Sequence, residues 1–168
     1  MPEFQMDKDG VVNGMEFADL SLIFQGYVEA MLFTETASGV YMSEWAEQGV
    51  QQDLEEGKLD GHIPGDSGWG DIHPETAERM QLDCFNFEVE ARDLLAQAYA
   101  RGYDHAQAGR DFWFTRNGHG VGFWDRKELE ANGLGRALSD IAGGYGQVDA
   151  HFAPNEESPT GYGYIHLD

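Results

Sequence analysis

The sequence predicts an α+β fold: a small antiparallel sheet of about four strands, packed with several helices. Three observations lead there. A dense aromatic segment, residues 111–126 (DFWFTRNGHGVGFWDR), contains Asn117-Gly118, and Asn-Gly is the strongest short hairpin signal. Residues 147–152 alternate apolar and polar, and 162–167 form a last apolar run. Elsewhere apolar residues recur at helical spacing. With 168 residues, 41% of them hydrophobic, the chain reads as a single domain able to bury a core.

The elements follow in order. Residues 1–14 are polar and read as a loose N-terminal segment. Asn13 and Glu16 form a capping-box-like pair ahead of a helix over 15–33, in which Phe17, Leu20, Phe24, Tyr27 and Met31 recur at 3–4 spacing. Gly26 weakens that helix relative to alanine. Residues 38–70 form an acidic insert. Within it, 43–56 predicts a second helix capped by Ser43 and anchored by Trp45, followed by a Gly- and Asp-rich loop. Pro74 opens the longest helix, with a stripe of Ala77, Met80, Cys84, Phe87, Ala91, Leu94 and Ala98, and Gly102 stops it. Cys84 lies inside the stripe and reads as a buried, inert thiol.

The central hairpin over 111–126 would place Phe112, Phe114, Val121 and Phe123 on one face and Trp113, Thr115 and Trp124 on the other. After an interruption at Asn132-Gly133, a short helix over 135–142 buries Leu138 and Ile141. Two strands, 147–152 and 162–167, close the chain.

The stretch AGRDFWFTRNGHGVGFWDR resembles the hallmark of a family of small bacteriophage and prophage proteins of unassigned function. A helical M-x-x-D-C-x-x-F pattern accompanies it, here Met80, Asp83, Cys84 and Phe87. The resemblance runs from about residue 72 to 148, with 27–36 as a shorter stretch. It implies a phage or prophage origin. Residues 1–26 and 38–70 are longer than it leads one to expect, which makes these acidic segments the seat of anything particular to this protein.

Charge is the strongest global feature. The net charge is −21, from 31 acids and 10 bases. Residues 1–78 hold 17 acids against Lys8 and Lys58, residues 79–136 hold nine acids against eight bases, and residues 137–168 hold five acids and no base. Such a field repels nucleic acid and attracts basic protein surfaces. Together with the resemblance, it predicts a host protein with a basic nucleic-acid-binding surface as partner. The sharper form is a nucleic-acid mimic that inhibits a host defence system, of anti-CRISPR or anti-restriction type. The predicted contact face is Glu44, Glu47, Asp53, Glu55, Glu56 and Asp60. No direct nucleic-acid or membrane binding and no cofactor is expected, and the host cytoplasm is the expected location. No apolar run approaches the roughly 18 residues of a membrane span, and one cysteine excludes an internal disulfide framework.

Two rival readings come from other classes. A small hydrolase or phosphate-binding enzyme would centre on Arg116, Asn117 and His119 at the hairpin tip. No nucleophile or paired carboxylate is fixed nearby by spacing, so the cheaper assignment makes these residues turn-formers and ion-pair partners. A calcium-stabilised interaction module would use Asp7, Asp9 and Glu16, which fall at positions 3, 5 and 12 of an EF-hand-like loop. Gln5 stands where its first carboxylate belongs.

Overall fold

The computed structural model describes residues 6–37, 39–46, 55–56 and 63–168. Helices and short strands are mixed, but the strands form three two-stranded sheets rather than one sheet of four. In order they are β1 (Val11–Val12), β2 (Met15–Glu16), α1 (Leu22–Glu35), β3 (Thr36–Ala37), α2 (Met42–Trp45), β4 (Ile63–Pro64), α3 (Pro74–Glu90), α4 (Arg92–Ala100), α5 (His105–Arg116), α6 (Leu134–Gly143), β5 (Ala150–Pro154) and β6 (Gly163–Leu167). They group into two compact units. One comprises Met1–Asp19, Leu32–Glu78 and Asp149–Asp168, the other Leu20–Met31 and Arg79–Val148.

The first unit holds all the sheets. β1 and β2 are antiparallel, joined by Asn13-Gly14. Both turn residues have positive φ, 54° and 76°, the requirement of a type I′ turn. The Asn-Gly rule therefore operates here, and Asn13 is not the predicted helix cap. Part of the 1–14 segment is anchored: Met6 and Val12 are buried, and the Trp69 N–H donates to the Asp7 carbonyl at 3.0 Å. β3 pairs in parallel with β4. Trp45 is buried as predicted, edge-on to Phe152 at 6.1 Å, but its helix spans only Met42–Trp45; the rest of the predicted 43–56 helix falls largely on residues outside those described. β5 and β6 match the predicted closing strands, with Ala150, Phe152, Ile165 and Leu167 turned inward.

The second unit is helical, and here the central prediction is overturned. Residues 111–126 form no hairpin. Residues 105–116 are helix α5, and 123–125 a single 3-10 turn. Asp104 caps α5, accepting from the backbone N–H groups of Ala106 (2.7 Å) and Gln107 (3.1 Å). Asn117-Gly118 ends the helix instead of turning a hairpin. Asn117 keeps φ at −98° and only Gly118 is left-handed, at 69°. The His119 N–H then donates to the Phe114 carbonyl and the Gly118 N–H to the Thr115 carbonyl, the paired bonds of a Schellman cap. His119 lies edge-on to Phe114, supplying the apolar contact such caps carry.

The physical reason is burial on every side. Ala108, Gly109, Asp111, Phe112, Trp113, Phe114 and Arg116 are all buried, so α5 shows no amphipathic stripe to separate it from a two-faced strand. Trp113 is fully buried, whereas Trp124, the other indole of the predicted face, is 53% exposed.

Two glycines let α5 in. A Cβ on Gly26 of α1 would overlap the Ala106 carbonyl, and one on Gly109 would overlap the Ile23 carbonyl. Gly26 is thus a packing requirement rather than a weak point. α1 itself starts later than predicted, with the Ser21 hydroxyl accepting from the Phe24 N–H. The long helix breaks at Ala91 (φ −98°, ψ 14°), and the stripe slips by one residue, burying Leu95 in place of Leu94. α4 stops at Gly102, and α6 lies where it was predicted.

The two glycines provide a test of sign. Intrinsic helix propensity makes Gly→Ala stabilising by about 1 kcal/mol. Here Gly26→Ala and Gly109→Ala should each destabilise by about 1–3 kcal/mol or more, the cost of overpacking. Urea unfolding of the two variants checks this, and a gain in stability would show that the helices are not in close contact.

Candidate functional site

The polar residues of the 111–126 segment sit in the second unit, and the structure gives each a partner. The Asp111 side chain is fully buried. Arg126 meets it in a fork, Nε to Oδ2 at 2.9 Å and Nη2 to Oδ1 at 2.6 Å. The Gln107 amide donates to Oδ1 at 3.0 Å, and the Tyr103 hydroxyl donates to Oδ2. Burial pushes the Tyr103 phenol well up, and the adjacent carboxylate adds to this. The hydrogen bond to Asp111 raises Arg126 as well.

Arg116 is the most enzyme-like residue of the sequence, but its side chain is only 4% exposed. Its Nε donates to the Gly146 carbonyl at 2.9 Å and Nη2 to the Tyr145 carbonyl at 3.1 Å. Nη1 donates to the Tyr27 hydroxyl at 3.0 Å and to Asp83 at 2.8 Å. The guanidinium also lies over the rings of Phe112 and Tyr145. Burial alone would lower its pKa, but Tyr27 and Asp83 outweigh that and the net shift is upward. Asn117 is equally committed: its amide donates to the Trp113 carbonyl and its oxygen accepts from the Val148 N–H.

His119 keeps the C-cap of α5. Burial lowers its pKa, so the ring is neutral at pH 7, and its Nε2 has no hydrogen-bond partner among the described residues. Arg116, Asn117 and His119 therefore do not converge on a common point from which they could hold a phosphate or activate water. Cys84 is buried and its thiol pushed well up by desolvation, as its place in the stripe predicted.

The acidic residues have a different character. Glu44, Glu55 and Glu56 are exposed, whereas Glu47, Asp53 and Asp60 lie outside the described residues. Asp7, Asp9 and Glu16 do not assemble a calcium loop. Asp7 Oδ1 accepts from the Asp9 N–H, Glu16 lies in β2, and its N–H donates to Asp19. Among the described residues no group of three or more His, Cys, Asp or Glu side chains is placed to hold a metal ion. Asp71 is the exception to acid exposure. It is buried, accepts from the Gly68 N–H at 2.8 Å, and is pushed up to about 6 by burial, with Asp7 and Asp66 adding to the effect.

Sequence reasoning missed the Asp111–Arg126 fork, because in a hairpin these residues would simply end opposite strands. The Asp104 N-cap, one residue after Gly102-Tyr103, was the available signal for α5. No protein family matches the chain, nor does any curated protein or solved structure.

Two measurements test these assignments. Arg126→Ala strands a buried carboxylate and should lower stability by about 3–5 kcal/mol, as for other broken buried pairs. A loss below about 1 kcal/mol in urea unfolding would mean a solvent-screened pair instead.

The second concerns pH. The folded-state pKa of Asp71 lies above its unfolded value, so its contribution is complete below about pH 4 and is lost as pH rises through about 6. Asp71→Asn keeps an acceptor for Gly68 and cannot ionise. Its stability relative to the parent should rise by roughly 2–3 kcal/mol across that window. A difference that stays constant with pH would show that Asp71 titrates normally.

Proposed function

We propose that this is a phage- or prophage-encoded acidic protein that binds the basic surface of a host protein. In its sharper form it is a nucleic-acid mimic that inhibits a host defence system. The observation that carries the reading is the partition of charge. The unit containing Met1–Asp19, Leu32–Glu78 and Asp149–Asp168 holds 20 acids against two lysines, a net −18. The unit of Leu20–Met31 and Arg79–Val148 holds 11 acids against eight bases, a net −3. Asp7, Asp9, Glu16, Asp19, Glu44, Glu55, Glu56, Asp66, Glu75 and Glu78 are all exposed in the acidic unit.

A field of that sign steers basic partners and repels nucleic acid. Duplex DNA carries about one charge per 1.7 Å of axis, so a groove built for it also accepts carboxylates displayed in rows. The resemblance of the 111–126 segment to phage proteins supplies the biological setting. The rival enzymatic reading loses its cation, because the guanidinium of Arg116 is committed inside the fold.

The test begins with capture of a partner from host lysate at low salt. Its association rate with this protein should fall steeply as salt rises. Reversing Asp53, Glu55 and Glu56 to lysine should slow association more than reversing Glu156 and Glu157, with the fold intact by circular dichroism. Nucleic acid should compete for the same site. One partner molecule holding nucleic acid and this protein together would rule out mimicry, and a salt-independent rate would rule out the acidic face.

A further inference from the structure

α3 has a second apolar face. Met80, Cys84 and Phe87 point into the core, with at most 2% exposure. Leu82, Phe85 and Val89 lie on the opposite side at i, i+3 and i+7, and are 55%, 61% and 47% exposed. Three large apolar side chains in one row on an otherwise polar helix face form a stripe, not scattered exposure. We infer that this stripe is the seam of an antiparallel homodimer, in which α3 of one copy packs against α3 of a second.

Two features select a second copy. The first is self-complementarity. A two-fold interface requires that where residue i meets j, j also meets i. Leu82 lies three residues before Phe85, and Val89 three residues after Asn86. An antiparallel pair centred between Phe85 and Asn86 sets each Leu82 against the other copy's Val89 and brings the two Phe85 rings together at the axis. Arg79 lies six residues before Phe85 and Asp93 seven after Asn86, so the same axis sets opposite charges near each other at both ends. The span from Arg79 to Asp93 is about 21 Å at 1.5 Å per residue, enough for several interlocking layers.

The second feature is charge. Two copies, each at −21, repel one another, and the approach is least opposed through the unit that carries −3. The stripe lies in that unit. Self-association should therefore strengthen with salt as the repulsion is screened, the reverse of binding to a basic partner. The inference stands independently of the proposed function, and this opposite salt response separates the two.

Sedimentation equilibrium of the full chain at low and high salt should show a monomer–dimer equilibrium that tightens with salt. Phe85→Glu should weaken the dimer by about tenfold or more, as for a central aromatic anchor, without altering the circular dichroism spectrum. A cysteine pair checks the register without relying on that variant. Leu82→Cys combined with Val89→Cys should give a disulfide-linked dimer on mild oxidation, whereas Leu82→Cys alone should not. The two positions are about 10 Å apart along one helix, too far for a bridge within the chain, and Cys84 is buried. A parent chain that stays monomeric would assign the stripe to some other occupant and overturn the inference. Equal affinity in Phe85→Glu, or cross-linking by Leu82→Cys alone, would overturn it as well.

Discussion

A guanidinium taken out of water must have its N–H groups answered, and Arg116 shows how much of the helical unit is arranged to do so. Its acceptors come from four places in the sequence: Tyr27 on α1, Asp83 on α3, and the carbonyls of Tyr145 and Gly146 after α6. Leaving any of these unmade inside the protein would cost more than a surface hydrogen bond returns. Asp111, five residues earlier on α5, imposes the converse condition. Its carboxylate collects donors from Tyr103, Gln107 and Arg126. A helix that carries both charges and is buried on every side can be placed only where all these groups meet. Gly26 and Gly109 permit that approach, and stacking of Phe87 on Phe112 at 4.3 Å fills the space alongside.

This arrangement explains what could be read from the sequence and what could not. Elements with a one-sided pattern were legible: the Met80–Cys84–Phe87 stripe, the stop at Gly102, the short helix bearing Leu138, and the two closing strands. α5 was not, because periodicity reports the difference between a wet face and a dry one, and α5 has no wet face. Asn-Gly is equally ambiguous taken alone. After two β-branched residues, at Asn13-Gly14, both residues turn left-handed and make a hairpin. After a capped helix, at Asn117-Gly118, only the glycine does, and it closes a Schellman cap. The deciding information lies in the preceding ten or so residues, where Asp104 can start a helix and Val11-Val12 cannot. The candidate tip site fell with the hairpin, since it depended on the loop that the helix replaces.

Charge is distributed in a way no single motif discloses. Polar residues of the helical unit are drawn inward, acids matched by guanidinium groups, and that unit is close to neutral. In the other unit the described acids face water almost without exception, and Asp71, the one that is buried, has its ionisation pushed up toward neutral pH. An acid kept on the surface at such density opposes compaction through self-repulsion. Retaining about 20 of them against two lysines makes sense as a property of what the surface meets, rather than of how the chain folds.

The residues that carry the phage resemblance belong to the inward-facing class. Met80 and Cys84 are core, Asp83 pairs with Arg116, and Phe87 stacks on Phe112 and Phe123. Asp111 and Arg126 form the buried fork, Asn117 and Gly118 end α5, and Gly122 leaves room for the Thr115 hydroxyl, which accepts from the Phe123 N–H. Each of these is a requirement of packing or of buried hydrogen bonding, and none presents a reactive group at a shared point. Such a motif specifies an architecture rather than a reaction. Chains that share it can therefore differ in activity, because the surfaces free to vary lie outside it: the acidic segments, Trp124, and the outer face of α3.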